Sequence, residues 1–359
     1  MSPDNDPLCC CEYFDIHQER NHILLCCCNC QDLDESVESF ISGKGIPPNK
    51  ARGFMATLQD RVRVPWQGGA RRVAPDAILP IFMLPSMLLL ATISIWWTIS
   101  IFSFMLLLLS YLYYCCMRSV KKTNFFLIWS LMSLIILLFI FEFVVMPFLE
   151  ILVHENLAVI LLVILCITCI YVIKIRTNRL RYAFENQMEN GESDKIGRMH
   201  YCQICQISIP ERDHHCVWFD CCIGSHNRFL FLIAIALAIG ALLYSSNLTL
   251  TSVCHPFHIY KTILLPDDCS DVYEQFELSL SFVSALYSLG IATVFGIFLM
   301  YEVLLISIGL TGQEWRALPI SAKLCCAITA HRPYNKGFFG NWFRAMCFCQ
   351  KYQKIASQY

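Results

Sequence analysis

Charged and apolar positions alternate along this chain on the scale of a lipid bilayer. Between Asp76 and Arg118 there are 41 residues without a charged side chain. As α-helix, at ~1.5 Å per residue, that run would extend ~60 Å, twice the ~30 Å hydrocarbon layer. It therefore predicts two spans with a tight reversal near Trp96 and Trp97, whose indole rings favour the interface. Further apolar runs predict spans over 125–148, 157–173, 229–245 and 278–301. Six spans result, so the expected fold is an all-α polytopic membrane protein.

The basic residues predict its orientation. Arg52, Arg61, Arg63, Arg71 and Arg72 precede the first span, and Arg118, Lys121 and Lys122 follow the second. Residues 174–228 carry Lys174, Arg176, Arg179, Arg181, Lys195, Arg198, Arg212 and Arg228, and the C-terminal tail is similarly basic. By contrast, 149–156 has Glu150 and Glu155 with no Lys or Arg, and 246–277 is acid-rich. Six alternating spans put every basic segment on one side. The expected organisation is a cytosolic, cysteine-rich 1–76, spans one to four within 77–173 and a cytosolic domain at 174–228. Spans five and six follow within 229–310, around a lumenal loop at 246–277, and a cytosolic tail covers 311–359. Residues 1–25 are polar and acidic, so no cleavable signal peptide is expected.

Composition sharpens this reading. The chain is 56% hydrophobic and only 15% charged, against ~25% charged in a soluble domain. A net charge of −1 offers no argument for nucleic acid as a partner. Of the 22 cysteines, Cys254 and Cys269 fall in the lumenal loop, where a disulfide is possible. The sequon Asn247-Leu248-Thr249 lies there too, close to the membrane. Cys9, Cys10 and Cys11, Cys26, Cys27, Cys28 and Cys30, Cys115 and Cys116, Cys325 and Cys326, and Cys347 and Cys349 fall on the reducing side. They are acylation candidates or idle thiols, with weak metal-site character in Cys26 to Cys30. Glu142 and Glu302 lie near the ends of their predicted spans, which predicts snorkelling to the interface rather than a buried role. The paired intramembrane charges and broken helices expected of a transporter are not evident in the spans.

The chemistry concentrates in His200 to Phe231, HYCQICQISIPERDHHCVWFDCCIGSHNRFLF. Cys202 and Cys205 form a C-x2-C knuckle, half of a tetrahedral zinc site, and His215 with Cys222 complete one CCHC set by ligand count. Asp213-His214-His215-Cys216 writes a nucleophile arrangement contiguously. A thiol needs a base to become a thiolate, and that base needs a carboxylate to orient it. Adjacent side chains point apart, so adjacency alone does not supply that geometry.

The tetrapeptide, with Val217-Trp218, Cys222-Ile223-Gly224 and Asn227 behind it, resembles the DHHC family of protein S-acyltransferases (palmitoyltransferases), in their six-span form. Thr311-Gly312-Gln313-Glu314 is similar to the family's Thr-Thr-x-Glu, and Gly337-x3-Asn341 behind Tyr334 is similar to its C-terminal motif. The resemblance implies transfer of palmitate from palmitoyl-CoA to cytosolic protein cysteines. Cys216 would be the nucleophile, His214 the base and Asp213 its orienter. Cytosolic Arg and Lys near the loop, Arg228 among them, would pair with CoA phosphates or with lipid headgroups. Partners would be cytosolic or membrane-associated proteins with juxtamembrane cysteines and the bilayer itself. The location implied is the Golgi or ER membrane, with the plasma membrane the alternative.

One departure stands out. The family carries two His-Cys blocks, whereas Pro210 to Cys216 aligns leftward with the first and rightward with the second. Leftward, His215 and Cys216 would be ligands of two different zinc ions. Rightward, Cys216 is the nucleophile, and Cys202, Cys205, His215 and Cys222 hold a single zinc. A shortened domain also admits a second reading, in which a catalytically impaired member acts as a membrane scaffold or binding partner.

Overall fold

A computed structural model describes residues 9, 11–15, 18–23, 38, 41–42, 60, 63–65, 67–72, 75–119, 123–148, 151–189, 199–259, 263–320, 323 and 332–356. Cys10, Cys26, Cys27, Cys28, Cys30, Glu150, Lys121, Lys122, Lys195, Arg198, Cys325 and Cys326 lie outside the described residues, as do the side chains of Cys116, Cys347 and Cys349. The chain divides into two compact units, Met1–Phe82 and Met83–Tyr359.

In the first unit, β1 (Glu12–Phe14) pairs antiparallel with β2 (Arg20–His22), and β3 (Arg63–Val64) with β4 (Arg71–Arg72). Their polar centre is Asp60, paired with Arg63 at 2.6 Å and also with Arg72. The Arg63 guanidinium stands 4.0 Å over the Tyr13 ring, a cation–π contact that keeps the arginine stem packed.

Helices dominate from residue 75 onward. α1 (Pro75–Ala91) and α2 (Ile95–Ser119) are separated by a break at residues 92–94, just ahead of the exposed Trp96 and Trp97. α3 (Phe125–Ile140) continues through a π-helical turn, Phe141–Val145, into Met146–Phe148. α4 is Val153–Glu189, α5 Arg228–Val253 and α6 Phe276–Ile308, the last ended by Gly309 at φ 74°. Among the described residues, α2 to α6 supply five helices long and apolar enough to cross a membrane. α1, at 17 residues, reaches about 25 Å, the lower limit for a span. The outward faces are apolar: Leu107, Phe143, Ile297 and Met300 are each at least two-thirds exposed. Water would penalise such a surface and lipid would not. This is a polytopic helical membrane protein.

One side of the bundle core joins Leu84, Leu88, Phe126, Trp129, Val283 and Tyr287 to Val217 of the Cys/His segment. Its buried polar groups are satisfied: Trp129 Nε1 donates to Tyr287 Oη at 3.0 Å, and Ser133 Oγ lies 2.8 Å from the same oxygen. Where α5 ends, β9 (His255–Ile259) and β10 (Ile263–Asp268) form a hairpin, and Cys254 is disulfide-bonded to Cys269. The sequon at Asn247 lies inside α5, with Thr249 buried. Glu142, in the π-turn, accepts a hydrogen bond from Asn156 Nδ2 at 3.1 Å. After α6 come α7 (Gly312–Ala317) and α8 (Gly337–Ala356). Buried Asn341 donates to Ser307 O at 3.1 Å and accepts from Lys336 N at 2.9 Å, tying α8 to the end of α6.

Candidate active site and metal centre

Two short hairpins build the Cys/His segment. β5 (Met199–Cys202) pairs with β6 (Ile207–Pro210), and the knuckle between them turns through Gln206 at φ 57°. β7 (His214–Cys216) pairs with β8 (Cys221–Ile223), setting His214 opposite Ile223, His215 opposite Cys222 and Cys216 opposite Cys221. Gly224 lets the hairpins close: a Cβ there would stand 2.9 Å from both Ile209 Cγ2 and Pro210 O.

Strand geometry resolves the adjacency problem. Successive side chains on a strand point to opposite faces, so His214 and Cys216 share one face of β7 while His215 takes the other. Directly opposite residues of an antiparallel pair share a face, which puts Cys222 beside His215.

On the His215 face, Cys202, Cys205, His215 and Cys222 bring one donor atom each within 4.8 Å of one another. His215 Nδ1 is 3.3 Å from Cys205 Sγ, 3.6 Å from Cys222 Sγ and 4.0 Å from Cys202 Sγ, and the Cys222 and Cys205 sulfurs are 3.5 Å apart. A tetrahedral zinc ion holds sulfur and nitrogen donors about 3.5–3.8 Å apart, so the spacing and the set of three sulfurs and one nitrogen fit that metal. Cys202 and Cys222 are fully buried, leaving no place for a water ligand on their side, as in a structural site. A second group among the described residues, Asp213, His214 and Glu302, also brings its donor atoms within 4.8 Å of one another, but Arg228 pairs with both of its carboxylates.

On the opposite face, His214 Nδ1 lies 2.8 Å from Asp213 Oδ2, and Cys216 follows two residues along the same strand. Burial opposes a charge on His214, but the Asp213 hydrogen bond and the Cys216 sulfur outweigh it and push its pKa up to about 9. Burial also opposes ionisation of Asp213. There Arg228, followed by His214 and the Gly312 N–H, prevails and holds the carboxyl well below the usual carboxylate range. Asp213 Oδ1 accepts from Gly312 N at 2.6 Å and pairs with Arg228 Nη2 at 3.0 Å, while Arg316 Nη2 donates to the Asp213 carbonyl at 3.1 Å. Gly312 is the first residue of α7, which opens with a capping box: Thr311 Oγ1 accepts from Glu314 N and Glu314 Oε2 from Thr311 N. The Thr-Gly-Gln-Glu motif thus places a backbone N–H on Asp213.

Cys216 itself sits in an apolar cluster with Ile173 of α4, Phe231, Ala234 and Ile235 of α5, and flanking Phe295, Phe298 and Leu299 of α6. The loop beyond it enters the bundle, where Trp218 meets the Phe126 ring edge-on at 4.8 Å. Asn227 closes the far end. Its Nδ2 donates to Thr177 Oγ1 and Cys222 O, both at 3.0 Å, and its Oδ1 accepts from Gly224 N at 3.0 Å.

Two residues differ from the sequence expectation. Glu302 does not snorkel: it is completely buried, 3.2 Å from Arg228 Nη2, with Oε1 3.7 Å from His214 Nδ1. Arg228 is buried as well, donating also to Leu310 O at 3.3 Å, and so it turns toward the site rather than toward headgroups. The helices do therefore carry a paired buried charge. Position along a span could not reveal it, because α6 runs on to Ile308 and carries Glu302 inside. An Arg at the start of one apolar helix and a Glu near the end of another were the available signal.

Residues 181–318 match the family model for the DHHC palmitoyltransferase domain. Over 93% of its length the chain is 27% identical to palmitoyltransferase ZDHHC23-B of Danio rerio, covering 91% of that protein. It is 26% identical to palmitoyltransferase ZDHHC23 of Rattus norvegicus, with 95% of this chain and 94% of that one covered. Palmitoyltransferase ZDHHC23 of Homo sapiens is also 26% identical, at 87% and 90% coverage. With the tetrapeptide in a hairpin between membrane helices and a Cys/His cluster fit for zinc behind it, residues 181–318 are similar to a DHHC palmitoyltransferase domain, and the chain as a whole is similar to the ZDHHC23 palmitoyltransferases.

Proposed function

We propose that this protein transfers palmitate from palmitoyl-CoA to cysteines of cytosolic or membrane-associated proteins through an acyl-enzyme at Cys216. The observation that carries the reading is the shared strand face of His214 and Cys216, with Asp213 buried behind the imidazole and three membrane helices around the sulfur. With Nδ1 held by Asp213, Nε2 is the nitrogen left to take the Cys216 proton. The thiolate attacks the thioester carbonyl, and the CoA thiolate leaves with the proton from His214. A substrate thiol then gives its proton to His214 and attacks the acyl-enzyme, and Cys216 leaves as thiolate. One thioester replaces another, so no energy source is needed. The acyl tail, at ~0.8 kcal/mol per buried methylene, lies among the spans beside Cys216. Zinc on Cys202, Cys205, His215 and Cys222 would hold the two hairpins together and so keep His214 and Cys216 on their shared face. Both termini and residues 174–228 face the cytosol, following the positive-inside pattern, in an internal membrane such as Golgi or ER.

The test is labelling of the detergent-purified protein by palmitoyl-CoA, with the cytosolic cysteines outside the two sites changed to Ser. Hydroxylamine-labile label on the parent, absent from Cys216→Ser at equal zinc content, is the expected result. Equal label on both, or none on a folded parent, overturns the enzyme reading in favour of a scaffold.

A further inference from the structure

The mechanism above uses Asp213, His214 and Cys216 but leaves a second buried carboxylate unexplained. We propose that Glu302 is a positioning residue for acyl transfer, fixing Arg228 so that its guanidinium holds the Asp213 carboxylate against His214. This inference rests on the acyltransferase reading.

The geometry is a chain of four side chains from three elements. Arg228, the first residue of α5, spans two carboxylates: Nη2 lies 3.0 Å from Asp213 Oδ1 and 3.2 Å from Glu302 Oε2, with Nε at 3.3 Å from the same Glu302 oxygen. A planar guanidinium fork is suited to that double contact. Its remaining arm is held by the Leu310 carbonyl. Asp213 Oδ1 is therefore fixed by Arg228 and Gly312 N, which leaves Oδ2 aimed at His214 Nδ1. Gly312 follows α6 and Glu302 lies within it, so this end of the membrane bundle reaches Asp213 by two routes, one through Arg228.

Stability alone is a poor account of the arrangement. Buried ion pairs are often replaceable by apolar residues at no cost, and one Arg here faces two carboxylates. Glu302 Oε1 accepts no hydrogen bond and points instead into the His214 site, 3.7 Å from Nδ1. A pair serving only to join α5 and α6 has no reason to leave a buried oxygen there. Without Glu302, the guanidinium loses one of its three anchors, so Gly312 N is the firmly placed donor left on Asp213 Oδ1 and Oδ2 can shift off the imidazole.

The experiment measures acyl-enzyme formation from palmitoyl-CoA in the full-length, zinc-loaded protein, for the parent, Glu302→Gln and the double variant Arg228→Met/Glu302→Leu. Glu302→Gln is expected to slow acylation at saturating palmitoyl-CoA by about 10- to 100-fold, the loss typical of a displaced supporting group, with KM and zinc content unchanged. The apolar double variant is expected to match the parent in thermal stability and still acylate slowly, so it carries the test even where the single variant folds poorly. Parent-like rates in a folded Glu302→Gln protein, or rates that recover with stability in the double variant, would overturn the proposal while leaving the enzyme reading intact. No Cys216-dependent label on the parent would remove both.

Discussion

Gly312 owes its identity to Asp213. A Cβ at that position would stand 2.9 Å from Asp213 Oδ2 and 3.2 Å from the Asp213 carbonyl oxygen, inside van der Waals contact. Gly312→Ala must therefore push the carboxylate away from both the α7 N–H and His214. The expected outcome is acyl-enzyme formation slowed by about tenfold or more at unchanged zinc content, measured by quenched labelling. His226 offers a separate residue-scale test. Burial, helped by Arg176, keeps its imidazole neutral with a pKa of about 3, and its Nε2 lies 3.3 Å from Thr177 Oγ1. A folded-state pKa below the ordinary 6.5 means full stability above pH ~6.5 and progressive loss as pH falls toward 3. At pH 5 the loss attributable to His226 is about 2 kcal/mol. Thermal denaturation from pH 7 to 5 should show a flatter decline in His226→Gln than in the parent; parallel curves would exclude this role.

At the scale of elements, the period of a strand sorts the Cys and His side chains of the two hairpins onto opposite faces. His215 and Cys222 face Cys202 and Cys205, while His214 and Cys216 face the bundle. Substitutions should divide the same way. Cys205→Ser, or removal of metal by chelation, should cost both zinc and acylation, because a zinc on these four ligands would join the two hairpins. His214→Ala should abolish acylation and keep the zinc, as read by metal analysis beside labelling. Asn227→Ala strips hydrogen bonds from Thr177, Gly224 and the Cys222 carbonyl, and should lower stability by about 1–3 kcal/mol in a denaturation assay. The ligand residue types and the order Asp-His-His-Cys were readable as spacing. The facing of each side chain was not, because it depends on Asp213 to Ile223 adopting a paired strand, and the bridge register follows from a tight turn through Asp220 at φ 46°.

For the whole molecule, the Cys202, Cys205, His215 and Cys222 set, with the Asp213, His214 and Glu302 group already neutralised by Arg228, predicts one zinc per chain by elemental analysis of the purified protein, and two would contradict it. On the far side of the bundle, the Cys254–Cys269 disulfide closes a separation of 15 residues, a constraint worth about 3 kcal/mol. Replacing both cysteines by Ser should lower thermal stability and leave the acylation rate unchanged, since the cluster around Cys216 draws on α4, α5 and α6 and not on that hairpin.

The apolar membrane-crossing helices and the concentration of Cys and His at 200–231 were legible in the sequence alone. Each depends on local quantities: the length of an uncharged run against the thickness of a bilayer, and the spacing of soft ligands along a few residues. Only tertiary structure decided that Arg228 and Glu302 are buried together beside Asp213, that Gly312 reaches the same carboxylate, and that Cys216 lies among α4, α5 and α6. The Arg228–Glu302 and Asp213–Gly312 contacts join residues 74 and 99 positions apart. A buried charge is tolerated only where such distant partners meet it, and no local pattern records which partners those will be.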